Sequence, residues 1–224
     1  MYFLINYQPY IAIIGDIKGS KAIENRKEVQ ENLAMVLNEI NDHYSDEIAS
    51  RFMITLGDEF QGLLLNGTSV MQIILRIEER LEPVKLRFGI GVGEITTKIN
   101  PYMAIGADGP GYYRARAAIE YLKENEKRKQ SGVSDIRLEL EGENQEPQIF
   151  INTIFGLMAA LKASWTNRQR EIIQDMLEHR DNQTETAKRL NIKQPTVSKV
   201  LVTGNYYAYE EAFDTIEKAL GEIG

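Results

Sequence analysis

The sequence contains no cysteine and only two histidines, His43 and His179. Disulfides, thiolate zinc sites and cysteine nucleophiles are therefore excluded, and a histidine-rich metal site is out of reach. No apolar run approaches the length of a membrane span. The segment Met1–Tyr10 lacks the basic flank, long apolar stretch and small-residue cleavage site of a signal peptide, so a cytoplasmic location is expected. Internal repeats and low-complexity segments are absent as well.

What is present suits a folded chain. Hydrophobic residues make up 43% and charged residues 26%, a balance that argues against long disorder. At 224 residues the chain exceeds the usual single-domain size, which suggests one domain with an appendage or two small ones. The net charge of −7 is unevenly spread. Residues 164–202 carry 7 Lys+Arg against 5 Asp+Glu, or +2, and residues 203–224 carry 1 against 5, or −4. That leaves −5 for residues 1–163, so the net-positive block lies in the C-terminal third.

Tyr10-Ile-Ala-Ile-Ile-Gly15 reads as a buried strand delivering Asp16 to its C-terminal mouth. Residues 23–41 read as a helix, with Val29, Leu33, Val36, Leu37 and Ile40 at helical spacing. Two apolar runs flank Gly57-Asp58-Glu59 and predict a β-hairpin over residues 51–65 whose turn holds the carboxylates. Val70, Ile73, Ile74 and Ile77 mark a second helix ending before Pro83, and Val84 to Glu94 alternates as a strand. Gly89, Gly91 and Gly93 of that strand place three side-chain-free positions on one face, where a ligand or another backbone can approach closely.

This β-α-β-β-α-β order predicts an α+β, ferredoxin-like antiparallel sheet with helices on one face, in which the first strand neighbours the hairpin. Asp16 and Asp58 can then meet at one edge of the sheet. A helix is expected over residues 111–124, a polar connection over 124–135, short strands at Ile136–Leu140 and Gln148–Phe150, and a linking helix over Ile151–Ala163.

Thr166-Asn-Arg-Gln169 has the form of a capping box, with Trp165 just before the cap. Short helices over Thr184–Leu190 and Lys193–Leu201, joined by Asn191-Ile192, fit a helix-turn-helix, followed by a closing acidic helix over Ala208–Leu220. The chain thus divides into residues 1–150 and an all-α part over 151–224 that holds a linker helix and the helix-turn-helix.

Carboxylates from two strands can hold Mg²⁺ against phosphates, so Asp16 and Asp58 are candidate metal ligands. The residue types equally allow Asp16 as a helix cap and Asp58 as a turn residue. Glu59 is either a further ligand or, as we favour, the solvated second residue of the turn. Lys18 and Ser20 sit in a Gly-flanked loop without Walker spacing, and Arg114 sits near a helix start with Arg116; these are candidates for phosphate. Arg114 and Arg116 are two apart on a helix, so at most one can point into a given site. Tyr112 and Tyr113 could stack on a base or fill core. In the C-terminal part Gln194, Thr196, Ser198 and Lys199 are candidates for base or phosphate contact with DNA, with Arg168, Arg170, Lys188, Arg189 and Lys193 as backbone contacts. The alternative is a small helical bundle used for dimerisation.

Gly15-Asp-Ile-Lys-Gly-Ser20, Thr55-Leu-Gly-Asp58-Glu-Phe60, Arg87-Phe-Gly-Ile-Gly91 and Ala107-Asp-Gly-Pro-Gly-Tyr-Tyr113 together resemble the SatD family, named for an operon associated with acid tolerance. The first 125 residues also resemble the class III nucleotidyl cyclase and GGDEF scaffold. That resemblance implies two metals on the residues that map to Asp16 and Asp58. The purine-selecting Lys of those cyclases falls on Ile54, their late-helix Asn and Arg fall near Arg114 and Ala118, and Leu56 replaces the first Gly of GGDEF. The expectation is a DNA-binding regulator, paired as a homodimer by resemblance to both module types, whose cyclase-like part senses a nucleotide or divalent metal. The alternatives are a Mg-dependent nucleotidyl cyclase or nucleotidyltransferase using Asp16 and Asp58, and a non-catalytic interaction protein.

Overall fold

The computed structural model describes residues 9–128, 134–142 and 145–223. β1 (Tyr10–Ile17) is buried from Ile11 onward, as a strand with apolar residues of both parities must be. Ile11, Ile13 and Ile17 enter the main core, while Ala12 and Ile14 enter a smaller core on the other face. β2 (Ile48–Leu56) and β3 (Glu59–Leu64) form the hairpin, turning through Gly57 (φ 57) and Asp58. With β4 (Leu86–Gly93) and β5 (Ile136–Glu139) the sheet order is β2-β3-β1-β4-β5. β1 runs antiparallel to both β3 and β4, and β5 is parallel to β4. The first strand thus neighbours the hairpin, as the element order implies.

α1 (Arg26–His43) and α2 (Val70–Arg80) pack their apolar faces on the main core. α3 (Pro110–Lys127) covers the opposite face through Tyr112, Ala115 and Ile119. The sheet therefore carries helices on both faces rather than one. The glycine stripe is the reason: a Cβ on Gly91 would lie 2.1 Å from the Gly111 carbonyl oxygen, and one on Gly89 2.3 Å from that of Ala115. The backbone that approaches those glycines is this helix.

Gln148–Phe150 is helical, not a strand. It belongs to the first turns of α4 (Glu146–Ala163), where Pro147 is tolerated because its missing N–H has no partner there anyway. From α4, Gln148 accepts from the Leu140 amide at 2.7 Å, and Asn152 both accepts from the Leu138 amide and donates to the Leu138 carbonyl at 2.8 Å. These bonds satisfy the edge of β5 that a further strand would otherwise claim. Of the polar connection expected over 124–135, residues up to Lys127 extend α3, and residues 129–133 lie outside the described residues.

α5 (Asn167–His179), α6 (Gln183–Arg189), α7 (Gln194–Thr203) and α8 (Tyr206–Gly221) follow, and both bonds of the Thr166/Gln169 capping box are made. These helices share the main core with α2. Gln72 donates to Glu217 at 3.0 Å, Lys162 pairs with Glu78, and the Gly67 amide donates to the Ile223 carbonyl at 3.0 Å. No helix among the described residues is long and apolar enough to cross a membrane.

Where α2 meets α5, acids face one another. Burial, then a proton shared with Glu178 and the nearby charge of Glu178 and Asp175, push the Glu79 carboxyl up to about 7 against the pull of Arg80. Arg76 lies 3.8 Å from Glu178, and His179 Nδ1 lies 3.7 Å from Asp175 and 4.0 Å from Glu178. The folded chain holds a proton that an ordinary glutamate releases near 4.5. This contribution to stability is complete below that value and lost as pH rises to about 7. Melting temperatures between roughly pH 5 and pH 8 should fall for the native chain and fall less for Glu79→Gln, which should melt higher at the alkaline end. Gly91→Ala should lower stability by roughly 3 kcal/mol in urea titration, because the clash is with helix backbone that cannot rotate away.

Candidate functional site

The side chain of Asp16 points to the α3 face, like its even-numbered strand neighbours Ala12 and Ile14. Cross-strand register sets Asp16 beside Glu59 on one side and Arg87 on the other, which makes a charged row over three strands. Above the row, α3 brings Arg116, Lys123 and Glu126, seven and then three residues apart and so on one helix face. Arg87 Nη1 pairs with Asp16 Oδ2 and Arg87 Nη2 with Glu126 Oε2, while Lys123 Nζ lies 2.7 Å from Asp16 Oδ1. Arg116 grips Glu59 with both terminal nitrogens, one at 2.7 Å. Lys18 closes the lattice at 2.6 Å from Glu126 Oε1 and against Asp135.

Asp16 is 4% exposed, Glu59 6% and Arg87 8%, so these charges need their partners. Burial alone would lower the Arg87 pKa, but the bonds to Glu126 and Asp16 outweigh it and the net direction is up. For Glu126 burial works upward and is outweighed by Arg87 and Lys18, which hold the carboxyl below its ordinary value. The bond to Glu59 raises the Arg116 guanidinium further, against its own burial.

Beside this row opens a cleft of about 570 Å³ whose lining includes Asp16, Ser20, Asp58, Arg87, Lys123 and the exposed Lys21 and Lys127. Asp16 and Asp58 do meet here: the Ile17 amide donates to the Asp58 carbonyl at 3.0 Å, and the Ser20 hydroxyl donates to Asp58 Oδ2. Gly19 turns the loop in the left-handed region at φ 62. The donor set does not fit a resident Mg²⁺ as arranged. Both oxygens of Asp16 are engaged by cations, one Asp58 oxygen accepts from Ser20, and the described residues hold no group of three acidic or histidine ligands.

Other expected residues fall elsewhere. Glu59 is not a solvated turn residue: the two-residue turn makes it the first residue of β3, buried under Arg116. Lys18 is held by Glu126 and Asp135, outside the lining of the cleft. Arg114 lies 3.1 Å from Glu141 and donates to the Val92 carbonyl, at the far end of the sheet. Because α3 starts beside Gly93, its first turns lie at the far end of the sheet from Asp16. Tyr112 is core, its hydroxyl unpartnered, while exposed Tyr113 donates to Asp108 at 2.8 Å. Sequence reading passed over Arg87, Lys123 and Glu126. Their signals were the place of Arg87 on the Gly89-Gly91-Gly93 face and the seven-residue step from Arg116 to Lys123.

In the C-terminal part, Val197 and Leu201 seat α7 in the core, leaving Lys193, Gln194, Thr196 and Lys199 exposed and Ser198 half-buried. Gln194 donates to Gln183 on α6 at 2.7 Å. Arg189, expected at a DNA backbone, is instead locked on Asp175 and Asp181, and Arg170 donates to the Lys162 carbonyl at 2.9 Å. Arg168 pairs with Glu171 and Lys188 with Glu185.

Residues 10–212 match the model of the SatD family. No curated protein matches. Among solved structures, the crystal structure of the guanylyl cyclase Cya2 is similar at 16% identity and a TM-score of 0.37, over 50% of this chain and 70% of that one.

Removing Arg87 leaves Asp16 and Glu126 without their shared partner in a buried setting. Arg87→Met should therefore cost about 3–5 kcal/mol in denaturant titration. Lys123→Met, at a half-exposed position, should cost about 1 kcal/mol or less.

Proposed function

The chain belongs to the SatD family, and from that premise we propose that it is a DNA-binding regulator whose sheet-containing part responds to a phosphate-bearing, nucleotide-type ligand. In this reading residues 1–150 form a ferredoxin-like, cyclase-type unit. Residues 151–224 carry a helix-turn-helix made of α6, its four-residue turn and α7, and the chain acts as a homodimer on paired half-sites. The observation that carries it is the outward face of α7. Its first turns present Gln194, Thr196, Ser198 and Lys199 with Lys193 at the cap, and the helix contains no acidic residue. Amide and hydroxyl groups read base edges and the lysines meet phosphates. Metal-dependent nucleotidyl transfer by Asp16 and Asp58 has no favouring observation, since both Asp16 oxygens are already engaged.

The test is binding to duplex DNA from the chain's own genomic neighbourhood, followed by anisotropy across a salt series. Affinity should fall with salt, and Lys193→Ala with Lys199→Ala should weaken all sequences alike and reduce the salt slope by about 1 per lysine. Gln194→Ala should instead cost about 1–3 kcal/mol on the preferred site only. Absence of salt-sensitive binding at low ionic strength overturns the proposal.

A further inference from the structure

We infer that the cleft at the Asp16 end of the sheet binds a phosphate-bearing anion directly, on lysine and arginine side chains, with no divalent metal between ligand and protein. The inference rests on the ligand-responsive half of the proposed function and deepens it by assigning the residues and excluding the expected metal bridge.

Three observations converge. First, every acid of the cleft already has a partner: Asp16 holds Arg87 and Lys123, Glu126 holds Arg87 and Lys18, and Asp58 accepts from Ser20. A divalent cation at Asp16 would have to displace Lys123 from Oδ1 or Arg87 from Oδ2, and displacing Arg87 would leave a buried guanidinium without that partner. Second, the cations are not all used. Lys21, on the turn after Gly19, and Lys127, at the end of α3, both line the cleft and are exposed, and neither has an acidic partner among the described residues. Cations of the lining outnumber acids four to three, counting Lys21, Arg87, Lys123 and Lys127 against Asp16, Asp58 and Glu126. Third, the Arg87 side chain is only 10% exposed, and its Nε has no hydrogen-bond partner. The wall of the cleft thus includes a guanidinium with one unmet donor, and guanidinium and ammonium donors are the groups that suit phosphate oxygens.

The cleft exceeds the needs of a single phosphate, and it adjoins a groove of about 790 Å³ that shares Gly19 with it. Ligands with two or more phosphates, bare or attached to an organic group, therefore share the chemistry the cleft recognises.

Calorimetry on the full chain with inorganic pyrophosphate and, separately, with a nucleoside triphosphate, each in EDTA and in Mg²⁺, tests this. Saturable binding in EDTA, weakened about tenfold or more in Lys21→Ala with Lys127→Ala, is the expected result. Lys21 and Lys127 are exposed, so replacing them leaves the fold intact. Binding of the triphosphate but not pyrophosphate assigns the organic group a share and keeps the inference. Binding that requires Mg²⁺, or no binding of either probe, overturns it. Anion binding without any effect of the anion on DNA affinity would uphold the inference and sink the ligand-responsive regulator, so the two fail separately.

Discussion

Arg87 is the charge on which the site depends. One guanidinium, buried at the end of β4, answers Asp16 across the strand pair and Glu126 from the helix above. Burying any one of these groups alone would be prohibitive, and the cost is met because each arrives with its partner fixed by a different constraint. Strand register brings Asp16, and the helix face brings Glu126 with Lys123. The same bonds tie the end of α3, beyond its last buried apolar residue Leu122, to the sheet.

The sign of the cleft follows from that lattice. Two carboxylates at the mouth of adjacent strands suggest a cation site while they are considered alone. Once Lys123 and Arg87 are set against Asp16, the lining charges that have no partner among the described residues are Lys21 and Lys127. An incoming ion meets ammonium groups first, and field sign rather than residue type decides what enters.

Much of this was legible in the chain. Apolar runs and turn residues placed β1, the hairpin, α2 and the capping box, because each depends on local pattern. The element order put Asp58 beside the end of β1, and the Ile17–Asp58 bond realises that adjacency. The charge partners were not legible, since any of many lysines and arginines could answer a given acid until register is known. Glu59 was misread because one residue more or less in a turn moves a side chain from solvent to core. Gln148–Phe150 was misread because a short apolar run carries no period of its own, and Pro147 two residues into a helix looks the same as Pro beside a strand.

The glycine stripe joins these two levels. Gly89 and Gly91 admit the α3 backbone so closely that a single methyl group would collide with it. A helix seated on backbone has little freedom to slide or rise, so the position of Lys123, two turns beyond Ala115, is set by residues that carry no charge and touch no ligand. Arg87 lies on the same face of the same strand, two positions before the first of these glycines. Of the two readings of the stripe, a place for a ligand or for another backbone, the second holds, and the stripe is the register mark of the helix. The distance between Arg87 and Lys123, and with it the pairing of Asp16, follows from where that mark stands.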